Sequence, residues 1–132
     1  MRGFTLRAPA DWVAGNEAAI DSLAGRLHGP QVTLEYDLGV HADPLLSPAG
    51  AAQLQAGPAT VDGYPARRVR FVLPAGVAGP AQNCIGLHVP RLRDQPRGPV
   101  RFTALACTSD PVKVELLAAV LSTVRFSRPA SP

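Results

Sequence analysis

The stretch Val32–Gly39 limits what this chain can fold into more than any other part of it. Its residues alternate strictly, with Val32, Leu34, Tyr36 and Leu38 on one side and Thr33, Glu35 and Asp37 on the other. That period of two belongs to a strand with one buried face. Upstream, Ser22–His28 alternates in the same way, and Gly29-Pro30 separates the two runs. With Gly29 and Pro30 at the tip of a hairpin, Leu27 is expected opposite Val32, Gly25 opposite Leu34 and Leu23 opposite Tyr36. The apolar residues of both strands then share a face, and a slip of one residue would scramble it. Arg26 comes within reach of Glu35 as a surface ion pair worth about 0.5 kcal/mol.

Further strands follow from the same rule. Phe4–Arg7 is a short first strand ended by Pro9, and Pro9-Ala10-Asp11-Trp12 turns the only tryptophan back into the core. Asn16–Ile20 allows a single helical turn. Asp62-Gly63 is a strong hairpin signal between Ala59-Thr60-Val61 and the run Tyr64–Leu73. In that run Val69, Phe71 and Leu73 face one way, and Arg68, Arg70 and Val72 the other. Asn83–Val89 sets Ile85, Leu87 and Val89 against Cys84, Gly86 and His88. Val100–Cys107 is apolar at Val100, Phe102, Ala104 and Ala106. Residues 74–82 and 91–99 read as loops between these strands, the second being rich in arginine.

Two segments read as helix. Ser47-Pro48 caps a short one over Ala49–Ala56, stopped by Gly57-Pro58. Asp110-Pro111 opens a stronger one, with Asp as N-cap and Pro at the first position. There Val112, Leu116, Ala119 and Val120 recur at helical spacing, widened by Leu117 and Leu121, while Lys113 and Glu115 fall outside the stripe. Thr123–Phe126 leaves as a terminal strand. The expected fold is therefore α+β: an antiparallel sheet of about six or seven strands with a C-terminal helix packed on it. At 132 residues one domain is expected, over 1–126, with 127–132 as a flexible tail.

The arginine-rich charge of +3 admits an anionic partner, but the arginines are dispersed and few aromatics accompany them, so nucleic acid is not the expected ligand. No apolar run approaches the roughly 20 residues of a membrane-spanning helix. The strand-like Phe4-Thr5-Leu6 follows Met1-Arg2-Gly3 at once. Either the protein is cytoplasmic, or the stretch is a mature domain lacking its export signal.

No phosphate-cradling glycine pattern, nucleophile elbow or paired-cysteine zinc spacing is present, so no catalytic residue and no cofactor is assigned. Asp37, His41 and Asp43 are the candidate metal ligands, or a histidine base oriented by carboxylates. Arg91, Arg93 and Arg97 are candidates for gripping an anion, against the alternative of a solvated loop tip. His28 and His88 are expected to be structural. Cys84 and Cys107 fall on neighbouring strands. With Cys84 opposite Cys107, Val89 faces Phe102, Leu87 faces Ala104 and Ile85 faces Ala106, one of a few registers that keep the apolar residues on one face. A disulfide there persists only in an oxidising compartment; the alternative is two buried thiols.

Several short motifs resemble Mog/PsbP-like domains, small bacterial and organellar proteins. They are the Phe-x-Leu strand with Pro9-Ala10-Asp11-Trp12, the strand end Tyr36-Asp37-Leu38-Gly39, the run Val61-Asp62-Gly63-Tyr64-Pro65-Ala66, and the final Ser122–Phe126. The resemblance implies an α/β/α sandwich. Members of that group are photosystem subunits, a binder of a small GTPase, secretion chaperones or exported lipoproteins, so it also implies binding rather than catalysis. The expected function is a non-enzymatic binding or assembly-accessory module whose partner is another protein, in a bacterial envelope as a periplasmic or membrane-anchored lipoprotein. The alternatives are a small metal-dependent or hydrolytic enzyme centred on Asp37, His41 and Asp43, and a cytoplasmic chaperone or adaptor.

Overall fold

A computed structural model describes residues 4–14, 23–39, 52–76, 79–95 and 98–126. The strands are β1 (Phe4–Thr5), β2 (Val13–Ala14), β3 (Leu23–Gly29), β4 (Val32–Gly39), β5 (Ala52–Val61), β6 (Tyr64–Leu73), β7 (Gln82–Gln95), β8 (Gly98–Thr108) and β9 (Arg125–Phe126). Seven of them form one antiparallel sheet in the order β2-β3-β4-β8-β7-β6-β5, and β1 pairs with β9 in a separate two-stranded sheet. A 3-10 turn, Pro111–Lys113, leads into α1 (Val114–Ser122).

The expected α+β fold, an α/β/α sandwich on the family resemblance, is not what the chain forms. Sheet dominates, and the turn and α1 together make one short C-terminal helical segment. The residues from Ala52 to Ala56, expected to be helical, belong to β5. Helix propensity in an alanine-rich run is a weak preference, and the open side of β6 offers those residues a ladder that overrides it. Residues 43–51 lie outside those described, as does Asn16–Ile20.

The β5–β6 hairpin accommodates two prolines inside its strands. Asp62 and Gly63 have φ values of 49° and 84°, the signature of a two-residue type I′ turn. The closing pair Val61–Tyr64 of such a turn is hydrogen-bonded, and hydrogen-bonded pairs then alternate along the ladder. Pro58 opposes Arg67 and Pro65 opposes Thr60, each an odd number of steps from the closing pair. Neither proline therefore forfeits a β5–β6 bond. The ring nitrogen of Pro58 faces away from β6, on the side where β5 ends the sheet among the described residues.

The β3–β4 hairpin differs from its expected register by two residues. Leu27 opposes Leu34, Gly25 opposes Tyr36 and Leu23 opposes Leu38. Pro30 and Gln31 make the turn, Gln31 taking the left-handed conformation at φ 60°. An even shift keeps every side chain on its face, so the hydrophobic pattern alone does not select between the two registers. The shift brings Arg26 directly opposite Glu35, with Nη2 donating to Oε1 at 2.7 Å. It also lays the rings of Tyr36 and Trp12 over Gly25 and Gly29, where any Cβ would overlap them. Trp12 is buried there as the core anchor.

Residues 91–95 and 98–99, expected in a loop, belong to strands. β7 runs on to Gln95 and pairs with β8 through Arg93↔Val100, Asp94↔Pro99 and Gln95↔Gly98, after a bulge between Val89 and Arg93. A backbone ladder does not depend on apolar side chains, so a polar run can extend it.

Two apolar clusters lie on opposite faces. The larger includes Leu34, Ile85, Val89 and Phe102 from the sheet, with Leu117, Val120 and Leu121 of α1 and Val124 just beyond it. An edge-to-face series of rings, Tyr36–Phe4–Phe102–Phe126–Tyr64, crosses it with centroids 4.7–5.6 Å apart. The smaller cluster holds Val69, Phe71 and Cys84. The Asp110 cap forms as expected, Oδ1 accepting from the Val112 N–H at 3.1 Å. The helix is rotated from its expected face, however. Leu116 is 38% exposed and Val112 86%, whereas Leu117 is fully buried. The 3-10 turn at Pro111–Lys113 advances the chain by more degrees per residue than an α-helix does, so a stripe counted from Val112 at α spacing drifts off the sheet.

Candidate functional site

The sequence candidates distribute unevenly. Asp37 sits half-buried on β4, opposite Thr103 of β8. His41 and Asp43 lie outside the described residues. Among the described residues no three His, Cys, Asp or Glu side chains group to hold a metal ion. Arg91 is exposed on β7. Arg97 and the Arg93 side chain fall outside the description.

One polar row crosses the sheet on the face away from α1. Asp37, Thr103, His88 and Arg67 occupy successive strands in register. His88 and Thr103 are buried, and His88 Nδ1 lies 2.8 Å from Thr103 Oγ1. A buried imidazole that shares a hydrogen bond with a hydroxyl meets the demand that buried polar groups be paired, and this suits the structural role expected of it. His28 is exposed on β3. On the same face Cys84 and Cys107 oppose each other across β7 and β8, and their sulfurs are bonded at 2.14 Å.

The opposite face carries a feature that sequence reasoning did not single out. Between α1 and β5 lies a cleft of about 120 Å³, comparable to the roughly 150 Å³ engineered cavity that accommodates a benzene. Ile85 and Leu87 contribute from β7, and Ala118 and Leu121 from α1. Ala59, Thr60 and Val61 line it from the edge strand, and Arg68 from β6.

Small residues create this space. Ala118 on the helix and Ala59 on the strand both line it, where larger side chains would fill the gap. Gly57, directly opposite Arg68, has no atom within 4 Å of where a Cβ would stand. Arg68 shares the helix-side face with Ile85 and Leu87, yet is exposed. Its side chain makes no hydrogen bond or ion pair among the described residues. Its neighbour Arg70 is engaged by Glu115 of α1 at 3.3 Å. The signal available in the sequence was the alternation of β6, which places Arg68 and Arg70 together on the side away from Val69 and Phe71.

Among the described residues no strand pairs with the outer side of β5, the strand beside the cleft. Ala56 and Thr60 are exposed and occupy the same ladder phase as Pro58, so their N–H and C=O groups point outward, while Pro58 offers only its C=O. Pro58, together with the bulge between Ala52 and Gln55, keeps a ten-residue edge from templating indefinite sheet growth. Thr60 keeps a donor and an acceptor at the mouth of the cleft. No helix among the described residues is long and apolar enough to cross a membrane. The chain matches no protein-family model and no curated protein, so its likeness to Mog/PsbP-like domains rests on the short motifs alone.

Proposed function

We propose that this domain is a non-enzymatic binding module that holds part of another protein against the α1–β5 side of its sheet, in the oxidising space of a bacterial envelope. The observation that carries the reading is the cleft itself: an apolar recess bordered by an outward-facing backbone pair at Thr60 and by the exposed Arg68. Apolar recesses with a few convergent polar groups are where proteins take ligands. A sheet edge supplies main-chain bonds to an extended segment, while recesses beside it sort side chains. The motif resemblance to Mog/PsbP-like domains points to the same class of activity. The Cys84–Cys107 bond supports the compartment, because reducing cytoplasm does not preserve such bonds.

The test uses a photoreactive amino acid placed in the protein inside its own cells. At Ser122, exposed on the cleft rim, a discrete crosslinked species is expected. At Glu35, exposed on the face away from α1, none is expected. Equal crosslinking from both positions, or none from Ser122, would overturn the reading.

A further inference from the structure

We infer that the segment bound at this cleft is an extended one that places an aliphatic side chain and a carboxylate on alternate residues. The inference rests on the binding reading above and adds the chemistry of the partner. A strand running beside β5 presents every second side chain to the helix side, about 7 Å apart. Along β5 that step leads from Ala59, which lines the recess, to Gly57, which stands opposite Arg68. One side chain of the incoming segment therefore meets the apolar recess formed with Ile85, Leu87 and Leu121. The next on the same side reaches the open space over Gly57, within range of the Arg68 guanidinium. Backbone pairing at Thr60 sets the register, and the missing N–H at Pro58 keeps the paired stretch short.

Charge decides between an acidic partner and a second copy of this chain. The whole chain carries +3, and β5 from Ala52 to Val61 contains no charged residue, so a copy pairing edge to edge brings Arg68 no carboxylate. Asp62, at the end of that strand, is already engaged by the Phe126 N–H at 2.9 Å and by Arg125 at 3.9 Å. An acidic partner supplies what the site lacks.

The probes are blocked peptides of about seven residues, serine throughout except for a leucine and a glutamate two positions apart, in both orders. Controls carry lysine for the glutamate or alanine for the leucine. Binding is followed by NMR on the uniformly labelled, oxidised protein, at millimolar peptide, because so few contacts give a Kd near that range. At least one leucine–glutamate order is expected to shift the methyl signals of Ala59, Ala118 and Leu121. The lysine control should bind about two- to fivefold more weakly, the range of an exposed ion pair. Arg68→Glu should reverse that preference, and because Arg68 is exposed this variant is expected to keep the fold. Ala118→Leu, which fills the recess, should abolish the leucine dependence.

Equal binding of the glutamate and lysine peptides would overturn the inference. So would the absence of any shift alongside a positive Ser122 crosslink, and that outcome would leave the binding reading standing. Concentration-dependent dimerisation that is abolished by Ala118→Leu would identify a second copy as the occupant and overturn the acidic partner.

Discussion

Replacing Leu117 with alanine tests the placement of α1 on the sheet. Leu117 is fully buried against the larger cluster, so the change withdraws three carbon groups from the core. At about 0.8 kcal/mol for each, the lost transfer energy is roughly 2.4 kcal/mol. The cavity left behind adds to this, because the other members of the cluster are held by their own contacts and relax only in part. The expected cost is about 3 kcal/mol, within the 2–5 kcal/mol found for buried leucines. Leu116, one residue earlier and 38% exposed, already leaves much of its side chain in water. Leu116→Ala should therefore cost no more than about 1 kcal/mol. Urea titrations of the oxidised protein, compared at equal m-value, provide the measurement. Equal midpoint shifts for the two variants, or a larger one for Leu116→Ala, would mean that α1 lies on the sheet by the other face.

Alkylating the denatured protein without reductant should leave its intact mass unchanged, whereas two adducts would rule out the Cys84–Cys107 bond. Reducing the bond before the titration should lower stability by roughly 3 kcal/mol through the freed loop of the unfolded chain. Gly29→Ala forces a methyl group into the ring of Trp12 and should cost about 1–3 kcal/mol. Because Trp12 is the only tryptophan, a red shift of the emission spectrum reports its displacement, and an unchanged spectrum at unchanged stability would refute the contact. A double-mutant cycle on Arg26 and Glu35, whose side chains are 37% and 56% exposed, should return a coupling below about 1 kcal/mol that fades with added salt.

What could be read from the sequence followed the kind of constraint each residue imposes. Period-two alternation marks faces, and it placed Val32, Leu34 and Leu38 in the core of β4, where they are buried. Turn chemistry marks positions, so Asp62-Gly63 located the β5–β6 hairpin to the residue. Pairing Cys84 with Cys107 sets the observed β7–β8 ladder, Ile85 opposite Ala106 and Val89 opposite Phe102. Where only alternation was available, as at Gly29-Pro30, the register slipped by two. What settles that hairpin is Tyr36 lying over Gly25 and Trp12 over Gly29, contacts that join β3 to its neighbours. The alanine-rich run from Ala52 showed the reverse problem, a local preference overridden by pairing with the next strand, Ala52 opposite Val72.

The candidate site was the least legible part for a physical reason. Catalytic and metal sites announce themselves through residues that are present, which is why Asp37, His41 and Asp43 drew attention. A cleft is defined by atoms that are missing, and Gly57, Ala59 and Ala118 are individually among the least informative letters in a protein sequence. They acquire meaning only when three elements converge: the edge strand, which pairs with β6 through the Asp62-Gly63 turn; the helix, started by Asp110; and the β7 strand beneath them. Even then the recess would be a packing flaw but for Arg68. Arg68 is exposed on the helix-side face of the sheet, one strand in from β5, and its guanidinium is not engaged among the described residues. Arg70, two residues along the same strand, shows how the fold treats a cation it uses internally, by setting Glu115 against it. The difference between the two arginines supports the proposal that the α1–β5 side meets a partner.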